Sequence, residues 1–219
     1  MPSSTRLSED APTSAEQSPA ASAAAAGAAA AAGAPRTRRT DPDRRDRIID
    51  ACLEVVAEHG VAGTTHRKVA VAADVPLGSM TYHFEGMDEL LRLAFERFSQ
   101  SMSQRFEDRM AAATTREEAL DAVTAIISDD VFTDDRELVL THELYTFAAR
   151  RPEYRTLTRN WMAASRRALE RHFDPATARL IDAAIEGLTI HQALDPAPRT
   201  QLDVPAVVRQ IAAIHAADR

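Results

Sequence analysis

The side chains best suited to chemistry in this chain cluster between Thr64 and Leu91. Arg67 carries five N–H donors in a planar fork, and Thr65, His66, Ser79, Thr81, Tyr82 and His83 each add a hydroxyl or a ring nitrogen. A guanidinium fork matches the two acceptors on the major-groove edge of guanine, and hydroxyl or imidazole donors suit phosphate oxygens and nearby base edges. Leu77 and Gly78 stand among them, and the small residues Gly78, Ser79 and Thr81 let a backbone approach a surface closely. Catalytic patterns do not emerge. There is no nucleophile elbow, phosphate loop, H-E-x-x-H or paired-cysteine motif, so the chain is not expected to be an enzyme. His142 and Glu143 are adjacent on one helix and point apart, and no metal or cofactor is expected.

The elements that must position these residues are short helices. The apolar spacing of Val69, Ala70 and Ala73 predicts a helix over about 66–73, started by a hydroxyl cap from Thr64 or Thr65. Asp74-Val75-Pro76 breaks the pattern, with Asp tolerating a left-handed backbone and Pro76 suiting the first position of a new helix. A very short helix over 77–83 follows. Upstream, Ile48, Ile49, Ala51, Cys52, Val55 and Val56 form the core face of a first helix that Gly60 ends. The lone cysteine rules out an intramolecular disulfide framework and reads as packing rather than as a redox sensor.

This stretch resembles the amino-terminal domain of the TetR family of bacterial transcriptional regulators. Thr64, Thr65, Arg67, Val69, Ala70, Ala73, Val75, Gly78, Ser79, Met80, His83, Phe84 and Leu90 fall in register with the family pattern, and the likeness covers roughly residues 43–98. Four positions depart. Asp74 replaces the usual turn glycine, Pro76 the usual serine, Thr81 a frequent phosphate-contacting tyrosine, and Met87 a frequent phosphate-contacting lysine. Each lost phosphate contact should flatten the salt dependence of DNA binding by about one unit of log-log slope.

The resemblance implies an all-α fold of about nine helices, a helix-turn-helix domain followed by a ligand-binding and dimerisation domain. It further implies a homodimeric repressor, released from a palindromic double-stranded DNA operator by a small-molecule effector. A helical protein-interaction module that has lost DNA binding is the alternative, and the missing anchors at Thr81 and Met87 favour it. The expected organisation is a tail over residues 1–42, a DNA-binding domain over 43–87 and a carboxy-terminal domain over 88–219. Met102, Phe106, His142, Tyr145, Trp161 and His191 are candidate lining for the implied effector pocket, with ordinary core packing as the competing role of each.

The rest of the sequence is consistent with this plan. From Arg36 to Met87 eight basic side chains face eight acidic ones, and the net charge of −7 resides in the remainder. Neutral reading heads on an acidic body keep nonspecific attraction to DNA local. The basic segment Pro35 to Thr40, with Arg36, Arg38 and Arg39, forms an arm that could lie along a groove or remain a solvated charge run. The run Ala20 to Ala34 lacks the leucines and valines of a signal peptide and follows an acidic segment, which predicts a disordered tail and a cytoplasmic protein with no membrane partner.

Downstream, helices are expected over about 88–112, 115–127, 134–150, 152–173, 175–195 and from 204 to the carboxy terminus, with Thr115 and Glu118 forming a capping box. The last two are apolar on more than one face. Leu180, Ala184, Gly187, Leu188, His191, Val208 and Ile211 are therefore the expected dimer surface, as a helix apolar on two sides needs two partners.

Overall fold

A run of apolar residues at three- and four-residue steps makes the first helix, α1 (Arg44–Gly63), and buries Ile48, Ile49, Cys52, Val55 and Val56 on one side. The computed structural model of the protein describes residues 42–130, 135–194 and 203–214; the tail and basic arm, including Arg38 and Arg39, lie outside these. Gly60 bends α1 with φ of 68°, and one further turn follows before Thr64. That conformation is open to glycine at little cost.

The two adjacent threonines divide their work. Thr64 donates its hydroxyl to the Gly60 carbonyl at 2.8 Å, closing the bend. Thr65 caps α2 (His66–Ala72), its oxygen accepting from the Lys68 amide at 3.3 Å. Asp74 then takes φ of 51°, the left-handed conformation that the sequence suggested for it. The turn is closed by the Val75 amide donating to Ala70 at 3.0 Å and the Asp74 amide to Val71 at 3.1 Å. α3 spans Gly78–His83. Pro76 stands ahead of it rather than at its first position, and the Pro76 carbonyl accepts from the Ser79 amide at 2.8 Å.

α4 (Met87–Ala112) is 26 residues long, about 39 Å at 1.5 Å per residue, and it enters both hydrophobic cores. Leu90, Leu91, Ala94, Phe95 and Phe98 join α1, α2, α3 and α6 (Asp135–Arg150) in the first core. Met110, near its far end, belongs to the second, built with α5 (Arg116–Ala125), α8 (Pro175–Leu194) and α9 (Val204–Ala213). The Thr115–Glu118 capping box is present, and hydrogen bonds from Thr114 hold the Glu118 carboxyl below its ordinary range. α5 stops short of Ile127 and passes into a widened π turn over Ile126–Asp130, in which Ile126 and Ile127 are both buried.

The helix expected over 152–173 is shorter at both ends. Pro152–Tyr154 is a single 3-10 turn that sends the Tyr154 ring into the first core, where its hydroxyl donates to the Asp88 carbonyl at 2.8 Å. α7 proper is Arg155–Leu169. Beyond it the chain folds back, with the His172 and Phe173 amides both donating to the Leu169 carbonyl at 3.0 Å. Phe173 thereby closes the second core. Asp174 caps α8, accepting from the Ala176 and Thr177 amides at 3.1 Å, and Asp203 caps α9, accepting from Ala206 at 3.0 Å. The described residues contain nine α-helices and no strand, and none of these helices is long and apolar enough to cross a membrane.

Cys52 is fully buried on the core side of α1, and burial pushes its thiol up to about 12. At pH 8 only about one thiol in ten thousand would be the reactive thiolate. A thiol-disulfide reagent added at pH 8 is expected to leave the native protein unlabelled and to modify one thiol in denaturant. Rapid labelling of the native protein would show Cys52 to be accessible.

Candidate nucleic-acid interface and effector cavity

The side chains of α2 and α3 sort by helical position. Val69, Ala70 and Met80 point into the first core, and Phe84 follows α3 into it. Arg67, Leu77, Gly78, Thr81 and Tyr82 face outward, Tyr82 at 82% exposure. His83 is half-buried, its ring edge-on to Tyr82 with centroids 4.8 Å apart. Two of the expected contact residues are turned away from this face. Ser79 is buried beside Met80, in the first turn of α3, where its amide donates to the Pro76 carbonyl. His66 has its Nε2 buried without a hydrogen-bond partner, so that nitrogen does not reach a phosphate in this conformation.

Several ion pairs and one half-buried carboxylate join α1 to α4 and α6. Glu143 of α6 accepts a hydrogen bond from the Val61 amide at 3.1 Å, just past the bend in α1. A Cβ at Gly60 would come within 2.8 Å of the movable end of the Glu143 side chain, and the positive φ of the bend is what asks for glycine there. Arg136 of α6 grips Glu54 of α1 through two nitrogens at 2.6–3.1 Å. Arg97 of α4 pairs with Asp46 and Asp50 of α1. None of these partners was legible in the sequence. A polar residue on a helix carries no local mark of an acceptor or donor 82 positions away.

A cavity of about 860 Å³ opens among α4, α6, α7 and α8. Met102, Phe106, Tyr145 and Trp161, four of the residues considered as pocket lining, stand on its wall. The Tyr145 and Trp161 rings lie nearly parallel, 8° apart with centroids at 6.0 Å, and Phe98 meets Trp161 edge-on. Trp161 is therefore half-buried, with one part in the core and another on the cavity. His142 is not on this wall. It lines a separate hollow of about 320 Å³, its Nδ1 2.7 Å from the Leu138 carbonyl one turn back along α6, which orients the ring away from the large cavity. His191 is exposed on α8 and also lies off the large cavity.

The cavity has a polar side that sequence reading missed. Asp182 and Glu186, one turn apart on α8, both line it. Asp182 accepts from the Ser165 hydroxyl at 2.5 Å and pairs with Arg166 at 3.4 Å, while burial raises its carboxyl above the usual range. Burial and a hydrogen bond to Glu186 raise the Tyr145 phenol. Thr141 contributes a buried hydroxyl with no hydrogen-bond partner. Among the described residues no three His, Cys, Asp or Glu side chains come together as metal ligands.

On α8, Leu180, Ala184, Gly187 and His191 recur at four- and three-residue steps and share one outer face. The space around Gly187 is open, with no atom within 4 Å of where a Cβ would stand. Leu188 and Ile211 are half-buried against the second core. Val208 is a correction to the expected dimer surface: it is 1% exposed and belongs to that core, because α9 turns this side toward α5.

This arrangement defines a helix-turn-helix regulator with a cavity in its carboxy-terminal helices. Residues 48–94 match the family model for bacterial regulatory proteins of the tetR family, and residues 114–214 match that for the tetracyclin repressor-like C-terminal domain. SCO7518 from Streptomyces coelicolor A3(2), a protein assigned as a transcriptional regulator, is 48% identical with a TM-score of 0.73, covering 78% of this chain and 99% of that one. The multidrug binding protein EbrR, solved with ethidium, is 32% identical with a TM-score of 0.65, covering 77% of this chain and 98% of its own. The regulator PksA of Bacillus subtilis (strain 168) is 22% identical over 76% of this chain and 87% of its own. The chain belongs to the TetR family and is a helix-turn-helix transcriptional regulator.

Arg67 is the exposed cation of α2 with a fork suited to guanine. Arg67→Ala is expected to weaken specific binding by about 1–3 kcal/mol and to relax sequence preference at one position of each half-site, as read by binding isotherms at fixed salt. Unchanged affinity and preference would remove Arg67 from the base-reading set.

Proposed function

We propose that the protein is a homodimeric repressor that leaves a palindromic operator when a flat organic cation enters the cavity of about 860 Å³. The reading head, residues 43–87, presents Thr65, Arg67, Leu77, Gly78, Thr81, Tyr82 and His83 to DNA, joined by Arg38 and Arg39 from the arm. Residues 88–219 sense the effector and pair the two copies, and the protein acts in the cytoplasm with its DNA.

The observation that carries this reading is the cavity wall, where the Tyr145–Trp161 pair faces two carboxylates, Asp182 and Glu186. Aromatic faces and half-buried acids together favour a planar cation over a neutral or anionic guest, and Arg105, a cation on the same wall, is engaged by Glu137. EbrR, a relative of the same fold, has been solved with imidazole, proflavin, ethidium and malachite green.

Release follows from α6. Thr141 and Tyr145 line the cavity, while Glu143 on the same helix holds the bend of α1. A guest that shifts α6 moves the base of the reading head and so favours a spacing that no longer fits successive grooves. α4, which enters both cores, shares this displacement. The protein-interaction alternative has less support, because the outward face of α2 and α3 presents donors and small residues suited to DNA.

Two measurements test this reading. Ethidium, added without DNA, is expected to quench Trp161 fluorescence, and Asp182→Asn to weaken that binding about tenfold, the cost of one charge-assisted contact. Malachite green is expected to release the wild-type chain from its selected duplex but not Glu143→Ala, which keeps the cavity and loses the strut. Dye binding indifferent to Asp182, or release unaffected in the Glu143 variant, would count against the ligand class or the relay respectively.

The α8 stripe predicts the assembly. Leu180→Asp places a charge on an exposed position, so the chain still folds while the sedimentation mass falls from dimer to monomer and operator affinity drops by at least an order of magnitude. A variant that remains dimeric would place the interface elsewhere.

A further inference from the structure

The outward side of α3 lacks any side chain that pairs with a purine. From Leu77 to Phe84 there is no Arg, Lys, Asn, Gln, Asp or Glu, the types that make paired hydrogen bonds with base edges. Besides the Tyr82 hydroxyl and the His83 ring, what the helix offers is apolar. Leu77 is 54% exposed, and Thr81 lies one turn further along the same face. The Thr81 hydroxyl donates to the Gly78 carbonyl at 3.3 Å, which engages its polar group within the helix and leaves its methyl as the group on offer. Gly78 lies between them with open space around it, so the backbone can come close enough for both methyl-bearing side chains to reach a groove floor.

In the major groove, thymine alone among the four bases carries a methyl group, and apolar side chains, including the threonine methyl, recognise it by contact. We infer that Leu77 and Thr81 read thymine C5-methyl groups, so that α3 selects thymines while Arg67 on α2 selects guanine. The inference rests on the DNA-reading role of α3 and adds the chemical group that it recognises. An exposed leucine elsewhere on a surface would need no explanation. Here it occupies the first position of the groove-facing side, where burial against a methyl group removes both from water.

The test uses the full chain and the duplex that it enriches from a random-sequence library. Each thymine of a half-site is replaced in turn by deoxyuridine, which keeps every hydrogen-bonding group and removes only the methyl. At two positions per half-site the replacement is expected to weaken binding about fourfold, the effect of losing one buried methyl-sized group. Leu77→Ala should abolish the penalty at one of these positions, and Thr81→Ser, which keeps the hydroxyl, at the other. Both residues are exposed, and equal melting temperatures confirm that the variants are folded. Uracil tolerated at every position, or penalties unchanged in both variants, would overturn the methyl reading while leaving a DNA-binding regulator. A chain that enriches no sequence would overturn the two together.

Discussion

The bend of α1 at Gly60 is the constraint on which the reading head depends. Its positive φ turns the chain so that Thr64 closes the bend and Thr65 begins α2, and the Glu143 carboxylate occupies the space where any Cβ would be. A backbone amide left open by the bend, at Val61, is satisfied by that same carboxylate. Buried amides need partners, and drawing one from a distant helix makes the end of α1 and the position of α6 mutually dependent. Arg136–Glu54 reinforces this dependence at the surface, and the two aspartates gripping Arg97 tie α1 to α4 as well.

The two cores explain why a cavity exists at all. The first is closed by large aromatics, with Phe95, Phe147 and Tyr154 packed ring against ring; the second is aliphatic and sealed by Phe173. Between them α4, α6, α7 and α8 do not meet fully, and the gap is lined by residues that are poor core fillers: Asp182, Glu186, Thr141 and Ser165. Asp182 is met by Ser165 and Arg166, whereas the buried Thr141 hydroxyl on the same wall has no partner, a cost in a protein that only needs to pack. A guest that supplies a hydrogen bond would offset that cost, which supports the proposed role of the cavity.

The reading helices depart from the family pattern without loss of geometry. Asp74 takes the left-handed conformation for which glycine is the usual choice, and the turn closes on two amide hydrogen bonds. Thr81 gives up a long phosphate donor and leaves α3 with a methyl-bearing face. The proposed division of labour, polar reading from α2 and apolar reading from α3, follows from that composition.

Much of this protein was legible in its sequence because helices are local objects. Apolar spacing located α1, α2 and α4 to α8 within a few residues, Thr115 and Glu118 announced a capping box, and Asp74, Asp174 and Asp203 marked their turns and caps, since each acts on atoms within four residues of itself. The family pattern located the helix-turn-helix, and four of the residues proposed for the implied pocket, Met102, Phe106, Tyr145 and Trp161, line the cavity. Burial on so short a helix is not legible from spacing, and Ser79, an expected outward donor, lies inward beside Met80. Only the folded chain decided what joins distant helices. It placed Glu143 over α1, gathered Asp182 and Glu186 beside Trp161, turned His142 away from them, and sent Val208 into its own core. Those outcomes depend on the angle at which one helix meets another. That angle is set by the summed packing of many side chains rather than by the residues it brings together.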